Sequence, residues 1–228
     1  MSEAIFLLSG GLDSTTLFVF ILEKGWALYP LSINYGQKHS VAEIASATRL
    51  WARYQHKYGE KKVGDLKILN FNLSQIGHSA LTDKNWKVPN NMKDQIKTVV
   101  PFRNTMLMTL AAAYGESLGL SPINIFMTPV KEDFASYRDC RKPFFTCLEK
   151  TLSLGSTYGV DVHIYTPFVE NTKAEIIDIG TKLDVPYHLT YSCYEGTQPS
   201  CGKCPACIER LEAFKANGLS DPLEYRKE

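Results

Sequence analysis

Two groups of residues in this 228-residue chain have the types and spacing to do chemistry. The first is the loop Ser9-Gly10-Gly11-Leu12-Asp13-Ser14-Thr15. Paired glycines let a backbone come close to a ligand and turn successive N–H groups inward. Ser9, Ser14 and Thr15 add hydroxyl donors, and Asp13 can hold Mg²⁺ or cap the helix that follows. At the positive end of a helix, such a loop suits an anion. For Ser-Gly-Gly alone, an ordinary capped turn competes evenly with that reading. There is no Gly-Lys-Ser/Thr and no GxGxxG in the chain, so nothing supports a Walker or a dinucleotide-binding loop. The second group is Cys193, Cys201, Cys204 and Cys207, spaced C-x7-C-x2-C-x2-C. Four thiolates so close match a closed tetrahedral Zn²⁺ site, which leaves no open position for catalysis and is therefore structural. An iron–sulfur cluster is the chemical rival, but its usual fourth cysteine before a proline is missing.

These residues must be positioned by regular elements, and strand-like and helix-like patterns alternate along the chain. Apolar runs at 4–8, Ala27–Ile33, Leu66–Phe71, Ile123–Met127 and Val162–Tyr165 read as strands. Between them, 13–24, Ser40–Tyr58, Asn104–Gly119 and a segment opened by Pro143 read as helices. Thr172-Lys173-Ala174-Glu175 fits a capping box that opens a helix through Leu183. Residues 72–101 are irregular, and a loop of that length is usually functional. Pro129–Lys142 is a charged loop, and after about residue 190 a cysteine-rich tail begins. The expected fold is α/β: a five-stranded parallel sheet with helices on both faces, plus a C-terminal zinc knot. The division expected is 1–190 for the α/β domain and 191–228 for the four-cysteine tail with its short helix. Ligands bind such sheets outside the carboxyl ends of the strands, where the quoted loops lie.

Composition narrows the function classes. With 25 Lys+Arg against 24 Asp+Glu, the net charge of +1 gives no reason to expect a nucleic-acid partner. No segment approaches the ~18 apolar residues of a membrane span, and no signal-peptide pattern opens the chain. A cytoplasmic protein is expected, and there cysteines bind metal or stay free more often than they pair.

SGGLDS after a hydrophobic strand resembles the SGGxDS signature of the PP-loop ATP pyrophosphatases. In order along the chain, SGGLDSTT, YGQKH at 35–39, SALTD at 79–83, RNT at 103–105, DCR at 139–141, TKAEI at 172–176 and SCYEG…CGKCPAC resemble the QueC family of 7-cyano-7-deazaguanine synthases. The likeness spans nearly the whole chain. It implies a PP-loop (adenine nucleotide alpha hydrolase-like) fold and an ATP-dependent carbon–nitrogen ligase. The carboxylate of 7-carboxy-7-deazaguanine would be adenylated and ammonia would give the amide. A second ATP would activate the amide oxygen, and loss of AMP would leave the nitrile. ATP, Mg²⁺ and structural Zn²⁺ are implied, as is a homodimer. Carried over by position, Ser9, Gly10, Gly11, Asp13, Ser14 and Thr15 would bind ATP phosphates and metal, and Lys173 would make a second phosphate contact. Arg103 would steer a carboxylate or phosphate. Asp139 and Arg141 would sit near the deazaguanine or the transferred nitrogen, and Tyr137 would stack on the base. Asp13, Lys173, Arg103 and Asp139 form the expected catalytic set.

Three stretches depart from the family pattern: Pro101-Phe102-Arg103-Asn104, Thr128-Pro129-Val130, and Asp133-Phe134-Ala135-Ser136-Tyr137-Arg138-Asp139-Cys140-Arg141. Phe102 brings bulk where the family has a small residue, and Ser136 stands where it has glycine. These departures make a second reading, in which the activated acyl group goes to a protein amine and stops at the amide. A non-catalytic nucleobase-binding module and an RNA-thiolating PP-loop enzyme are further classes. The intact SGGLDS and Lys173 speak against the module. The near-neutral charge and the lack of an evident catalytic cysteine pair beyond the metal set, Cys140 and Cys147 lying elsewhere, speak against the thiolating enzyme.

Overall fold

The computed structural model describes residues 1–227. Strands run at Glu3–Leu7 (β1), Ala27–Asn34 (β2), Lys67–Asn70 (β3), Ile123–Phe126 (β4) and Val162–Tyr165 (β5). Helices run at Leu12–Glu23 (α1), Ser40–Tyr58 (α2), Arg103–Ser117 (α3), Lys142–Gly155 (α4), Lys173–Lys182 (α5) and Pro205–Ala216 (α6). The strands form one parallel sheet in the order β3–β2–β1–β4–β5. β1 pairs with β2 from Glu3↔Ala27 to Leu7↔Leu31, and with β4 at Ile5↔Ile125 and Phe6↔Phe126. The chain grows outward on one side through β2 and β3, then returns across β1 to lay down β4 and β5. That reversal opens a crevice between the carboxyl ends of β1 and β4.

From Ala4 to Leu7 β1 is apolar because it is covered on both sides, while Glu3 at its start is exposed. Ala4 and Phe6 face a core completed by α1, α2, α5 and α6, through side chains such as Phe18, Leu50, Ile176 and Phe214. Ile5 faces the opposite core, where Met108 and Ala111 of α3 and Leu148 of α4 meet Ile123 and Ile125. Each fully buried Leu, Ile or Phe contributes about 1.5–3 kcal/mol. The capping box forms as its sequence predicts: Glu175 N donates to Thr172 Oγ1 at 3.3 Å, and Thr172 N donates to Glu175 Oε2 at 2.8 Å. Element boundaries fall within a few residues of those expected from the sequence. α3 begins at Arg103, and the charged loop after β4 contains two short 3-10 turns, Lys131–Ala135 and Arg138–Cys140. The long segment after β3 has one 3-10 turn, Gln95–Thr98. Leu73, Leu81 and Val100 anchor it in a small core around Tyr35.

The tail is fastened to the rest at two levels. Ala213 and Phe214 of α6 join the core on the α1 side. Arg210, 1% exposed, donates from Nε to Asp221 Oδ2 at 2.6 Å and from Nη2 to Oδ1 at 3.0 Å. Its remaining donors reach Thr190 Oγ1 at 2.7 Å and Tyr187 O at 3.1 Å. One buried guanidinium thus joins the end of the chain to the turn that precedes the cysteines. No helix among the described residues is long and apolar enough to cross a membrane.

Candidate active site

A cavity of about 270 Å³ lies at the carboxyl ends of β1, β2 and β4, in the crevice where the strand order reverses. Its floor is the loop between β1 and α1. Gly11 is the N-cap of α1 and supplies no side-chain cap, so the first-turn N–H groups remain free for a ligand. Ser9 Oγ and Ser14 Oγ share a hydrogen bond of 2.8 Å, and Gly11 N donates to Ser9 Oγ at 3.2 Å. Ser9, Gly11, Asp13 and Ser14 line the cavity.

Gly10 and Thr15, expected to bind phosphate, stand behind this surface. Thr15 is fully buried, and its hydroxyl donates back to Gly11 O at 2.7 Å. Gly10 has φ +78°, and a Cβ there would lie 2.5 Å from Ala47 N and 2.9 Å from Glu43 O of α2. The glycine is needed where the loop passes under a neighbouring helix. Ser46 Oγ locks the contact by donating to Gly10 O at 2.8 Å.

Lys173, the first residue of α5, reaches across from the other side of the crevice. Its Nζ lies 3.1 Å from Asp13 Oδ2 and 3.4 Å from Glu209 Oε2. Only 13% of its side chain is exposed. Burial alone would lower the lysine's proton affinity, but Asp13, Glu209 and Asp133 outweigh it and hold the pKa well above the ordinary value. A cation at a helix N-terminus is disfavoured, and these carboxylates offset that cost. Asp13 Oδ1 is buried with no partner, as are His39 Nδ1 and Thr128 Oγ1. All three residues line the cavity. Such orphaned atoms fit a polar ligand and a cation bridging it to the protein.

Arg103 lines the cavity from the start of α3, its guanidinium carbon 5.9 Å from the Tyr35 ring centroid and 5.8 Å from that of Tyr137. Burial works against its charge, yet the two tyrosines between which it lies help hold its pKa above the ordinary value. The fork is fixed in direction by the aromatic faces and by its bond from Nε to Asn104 Oδ1 at 3.3 Å.

Three residues expected beside the substrate have other places. Tyr137 is buried, 5% exposed; its hydroxyl bonds to that of Thr98 and its ring packs on Arg103, so it is not free to stack on a base. Asp139 is outside the cavity lining: Asn104 N donates to its Oδ2 at 3.3 Å, and Asn104 Nδ2 donates to its carbonyl at 3.1 Å. Its carboxylate serves the first turn of α3. Arg141 is exposed and donates to Phe134 O at 2.7 Å. The carboxylates that do face the cavity, besides Asp13, are Glu43, Asp133 and Glu209.

The departures from the family pattern are also absorbed locally. Phe102 has φ +54° and is 76% exposed, so its bulk points away from the cavity. Ser136, at φ −103°, needs no glycine-like angle, and its hydroxyl donates to Gln95 Oε1 at 3.1 Å. Thr128 is the one departure that meets the cavity directly.

The cysteine tail forms a wall of the same cavity. Tyr191, Ser192, Tyr194 and Glu209 line it, and Tyr191 N donates to Gly10 O at 2.9 Å. Glu209 Oε1 also accepts from Gln95 Nε2 at 2.8 Å, which ties α6 to the long segment. The ligand atoms of Cys193, Cys201, Cys204 and Cys207 lie within 4.8 Å of one another, all in buried residues. Cys201 Sγ and Cys207 Sγ are 4.0 Å apart, near the ~3.8 Å edge of a tetrahedron with Zn–S bonds of about 2.3 Å. Tyr194 N, Cys201 N and Cys204 N each donate to a sulfur at 3.3–3.4 Å. Four converging thiols with N–H donors around them fit a thiophilic metal such as Zn²⁺.

A family model described as Queuosine biosynthesis protein QueC matches residues 3–218. A 7-cyano-7-deazaguanine synthase of Thermoplasma volcanium is 41% identical, covering 99% of this chain and 91% of its own. One of Clostridium kluyveri is 38% identical over the full length of both. Among solved structures, an NMN synthetase from Francisella tularensis covers 96% of this chain and 78% of its own, with a TM-score of 0.48 at 14% identity. That likeness is too slight to carry an argument.

Proposed function

The chain belongs to the QueC family of queuosine biosynthesis proteins, and from that premise we propose that it makes 7-cyano-7-deazaguanine from 7-carboxy-7-deazaguanine, ammonia and ATP. The observation that carries the proposal is the meeting of Asp13 and Lys173. They lie 160 residues apart in sequence and 3.1 Å apart at the mouth of an uncapped helix, in a chain whose relatives of that name match it from end to end.

ATP would lie in the crevice, with its β- and γ-phosphates on the free N–H groups of α1 and the hydroxyls of Ser9 and Ser14. Lys173 would meet the phosphates from the side of α5, exchanging part of its ion pairing with Asp13 for a negative oxygen. Mg²⁺ would be held at Asp13, whose Oδ1 is otherwise unpartnered, and would neutralise charge building on the departing pyrophosphate. Charge stabilisation aimed at a leaving group is commonly the largest catalytic contribution. The carboxylate oxygen attacks the α-phosphorus, and pyrophosphate leaves from the loop. This explains a phosphate loop without a Walker lysine: the loop grips the leaving group, and AMP moves with the substrate. Arg103, fixed between Tyr35 and Tyr137, is oriented to hold the carboxylate or the α-phosphate. The four cysteines would hold Zn²⁺ in a structural role, keeping Tyr191, Tyr194 and Glu209 in the cavity wall. The family likeness also supports a cytoplasmic, dimeric working form.

No feature of the cavity among the described residues favours a protein amine as acceptor. Incubation with ATP, Mg²⁺, ammonium and 7-carboxy-7-deazaguanine, followed by mass spectrometry, tests the proposal. Nitrile with AMP is the expected result. Amide alone, or a mass shift on a protein, would overturn it.

A further inference from the structure

We propose that Asp133 is a catalytic residue: the proton acceptor for the nitrogen that enters the activated acyl group. This rests on the reaction proposed above, which removes protons from nitrogen at each half and so needs a base in the cavity. Four carboxylates line that cavity, and three are already committed. Asp13 and Glu209 pair with Lys173 at 3.1 and 3.4 Å. Glu43 Oε2 accepts from Gln37 Nε2 at 2.8 Å and lies 3.5 Å from His39 Nε2. Asp133 forms no ion pair among the described residues; its Oδ2 accepts one hydrogen bond, from Val130 N at 3.0 Å.

The place of Asp133 suits the task. The 3-10 turn Lys131–Ala135, just past the end of β4, turns it into the crevice. Lys173 and Asp13 act on it from the phosphate side and Arg103 from the α3 side. It therefore shares the cavity lining with, and feels the charge of, both cations that would hold the phosphates and the acyl group. Burial raises its proton affinity, and the opposing pull of Lys173 and of Val130 N–H does not cancel that rise. A carboxylate so poised takes a proton more readily than an ordinary surface aspartate. Asp139, six residues on, is held by Asn104 at the start of α3 instead.

The chemistry balances as follows. Ammonia attacks the acyl carbon of the adenylate, the C–N bond forms, the C–O bond to AMP breaks, and the surplus N–H proton passes to Asp133. In the second half the amide oxygen attacks the α-phosphorus of a second ATP and pyrophosphate leaves. The resulting O-adenylated imidate loses its N–H protons in turn. As the last goes to Asp133, the freed electron pair completes the C≡N bond and AMP departs with the oxygen. Asp133 returns each proton to water through the cavity mouth.

Asp133→Asn tests this in the full chain, because the asparagine oxygen can still accept from Val130 N. Two rates are compared: nitrile formation from 7-amido-7-deazaguanine with ATP, and hydroxamate formation from the carboxylate with ATP and hydroxylamine, whose adduct loses its proton without help. The expected result is a fall of about 10²–10⁴-fold in nitrile formation, with hydroxamate formation kept within about tenfold. Nitrile formation near the wild-type rate would overturn the assignment. So would a parallel fall in both rates, which marks a binding or folding role. A wild-type protein that stops at the amide would refute the nitrile reaction, and Asp133 would then be judged by amide formation from ammonium against the same hydroxamate control.

Discussion

Replacing Gly10 and Gly11 one at a time by alanine separates two reasons for a paired glycine. At Gly10 the added Cβ meets backbone on both sides, Ala47 N at 2.5 Å and Glu43 O at 2.9 Å, in a conformation with φ +78°. The left-handed angle costs about 1–2 kcal/mol, and forcing α2 outward costs about 1–3 kcal/mol more. The stiffer unfolded chain of alanine returns about 0.4–1 kcal/mol. A net loss near 3 kcal/mol lowers the melting temperature by about 6–12 °C in a chain of this size. At Gly11 the backbone is ordinary, φ −75°, and the nearest atom to a Cβ is the hydroxyl of Ser9 at 3.3 Å. Gly11→Ala should lose under about 1 kcal/mol, the scale of a weaker N-cap, yet it adds a methyl to the phosphate floor. Thermal melts and ATP–pyrophosphate exchange read the two effects separately. Gly10→Ala should be the unstable variant, and Gly11→Ala the stable variant with poor exchange. A Gly10→Ala protein that melts with the wild type would refute the packing argument, and one with normal stability and no exchange would return Gly10 to the phosphate.

The other expectations concern the charges and the metal. Lys173→Met should cut pyrophosphate exchange by about 10²–10³-fold, the scale for removing one preorganised donor; near-normal exchange would remove lysine from the phosphate site. Asp221→Ala leaves the buried Arg210 guanidinium without its bidentate partner and should cost about 3–5 kcal/mol in urea unfolding. A loss below about 1 kcal/mol would mean that water replaces the carboxylate there. Cys204→Ser should lower bound zinc by metal analysis and abolish ligase activity together, because the tail forms one wall of the cavity. Full activity in a zinc-free protein would separate the knot from the site.

The parts of this molecule that repeat or punctuate were legible in its sequence. The five apolar runs, the capping box at Thr172 and the cysteine spacing each carry their own local physics, and each is found at or near its expected place. Lys173 could be singled out because a cation in a first turn asks for a negative partner, and Asp13 and Glu209 are there. Glu209 itself was not legible, since a lone glutamate on a short helix looks like any solvated side chain until α6 is docked. The loop after β4 was not legible in detail for a related reason. It holds several charges and no periodicity, and two 3-10 turns turn Asp133 inward while fixing Asp139 to α3. Spacing from a motif locates such a loop; only the turns say which carboxylate faces the cavity. Thr15 and Gly10 carry the same lesson on a smaller scale, because a signature does not separate the residues that touch a ligand from those that hold the signature in shape.

Oxygen tracing tests the central claim, attack on the α-phosphorus in both halves of the reaction. The protein is given 7-carboxy-7-deazaguanine with both carboxylate oxygens labelled with ¹⁸O, together with ATP, Mg²⁺ and ammonium, and the phosphate products are weighed. The account predicts that each nitrile is accompanied by two AMP molecules, each carrying one labelled oxygen, with unlabelled pyrophosphate. Label in pyrophosphate or inorganic phosphate, or nitrile formed without labelled AMP, would contradict it.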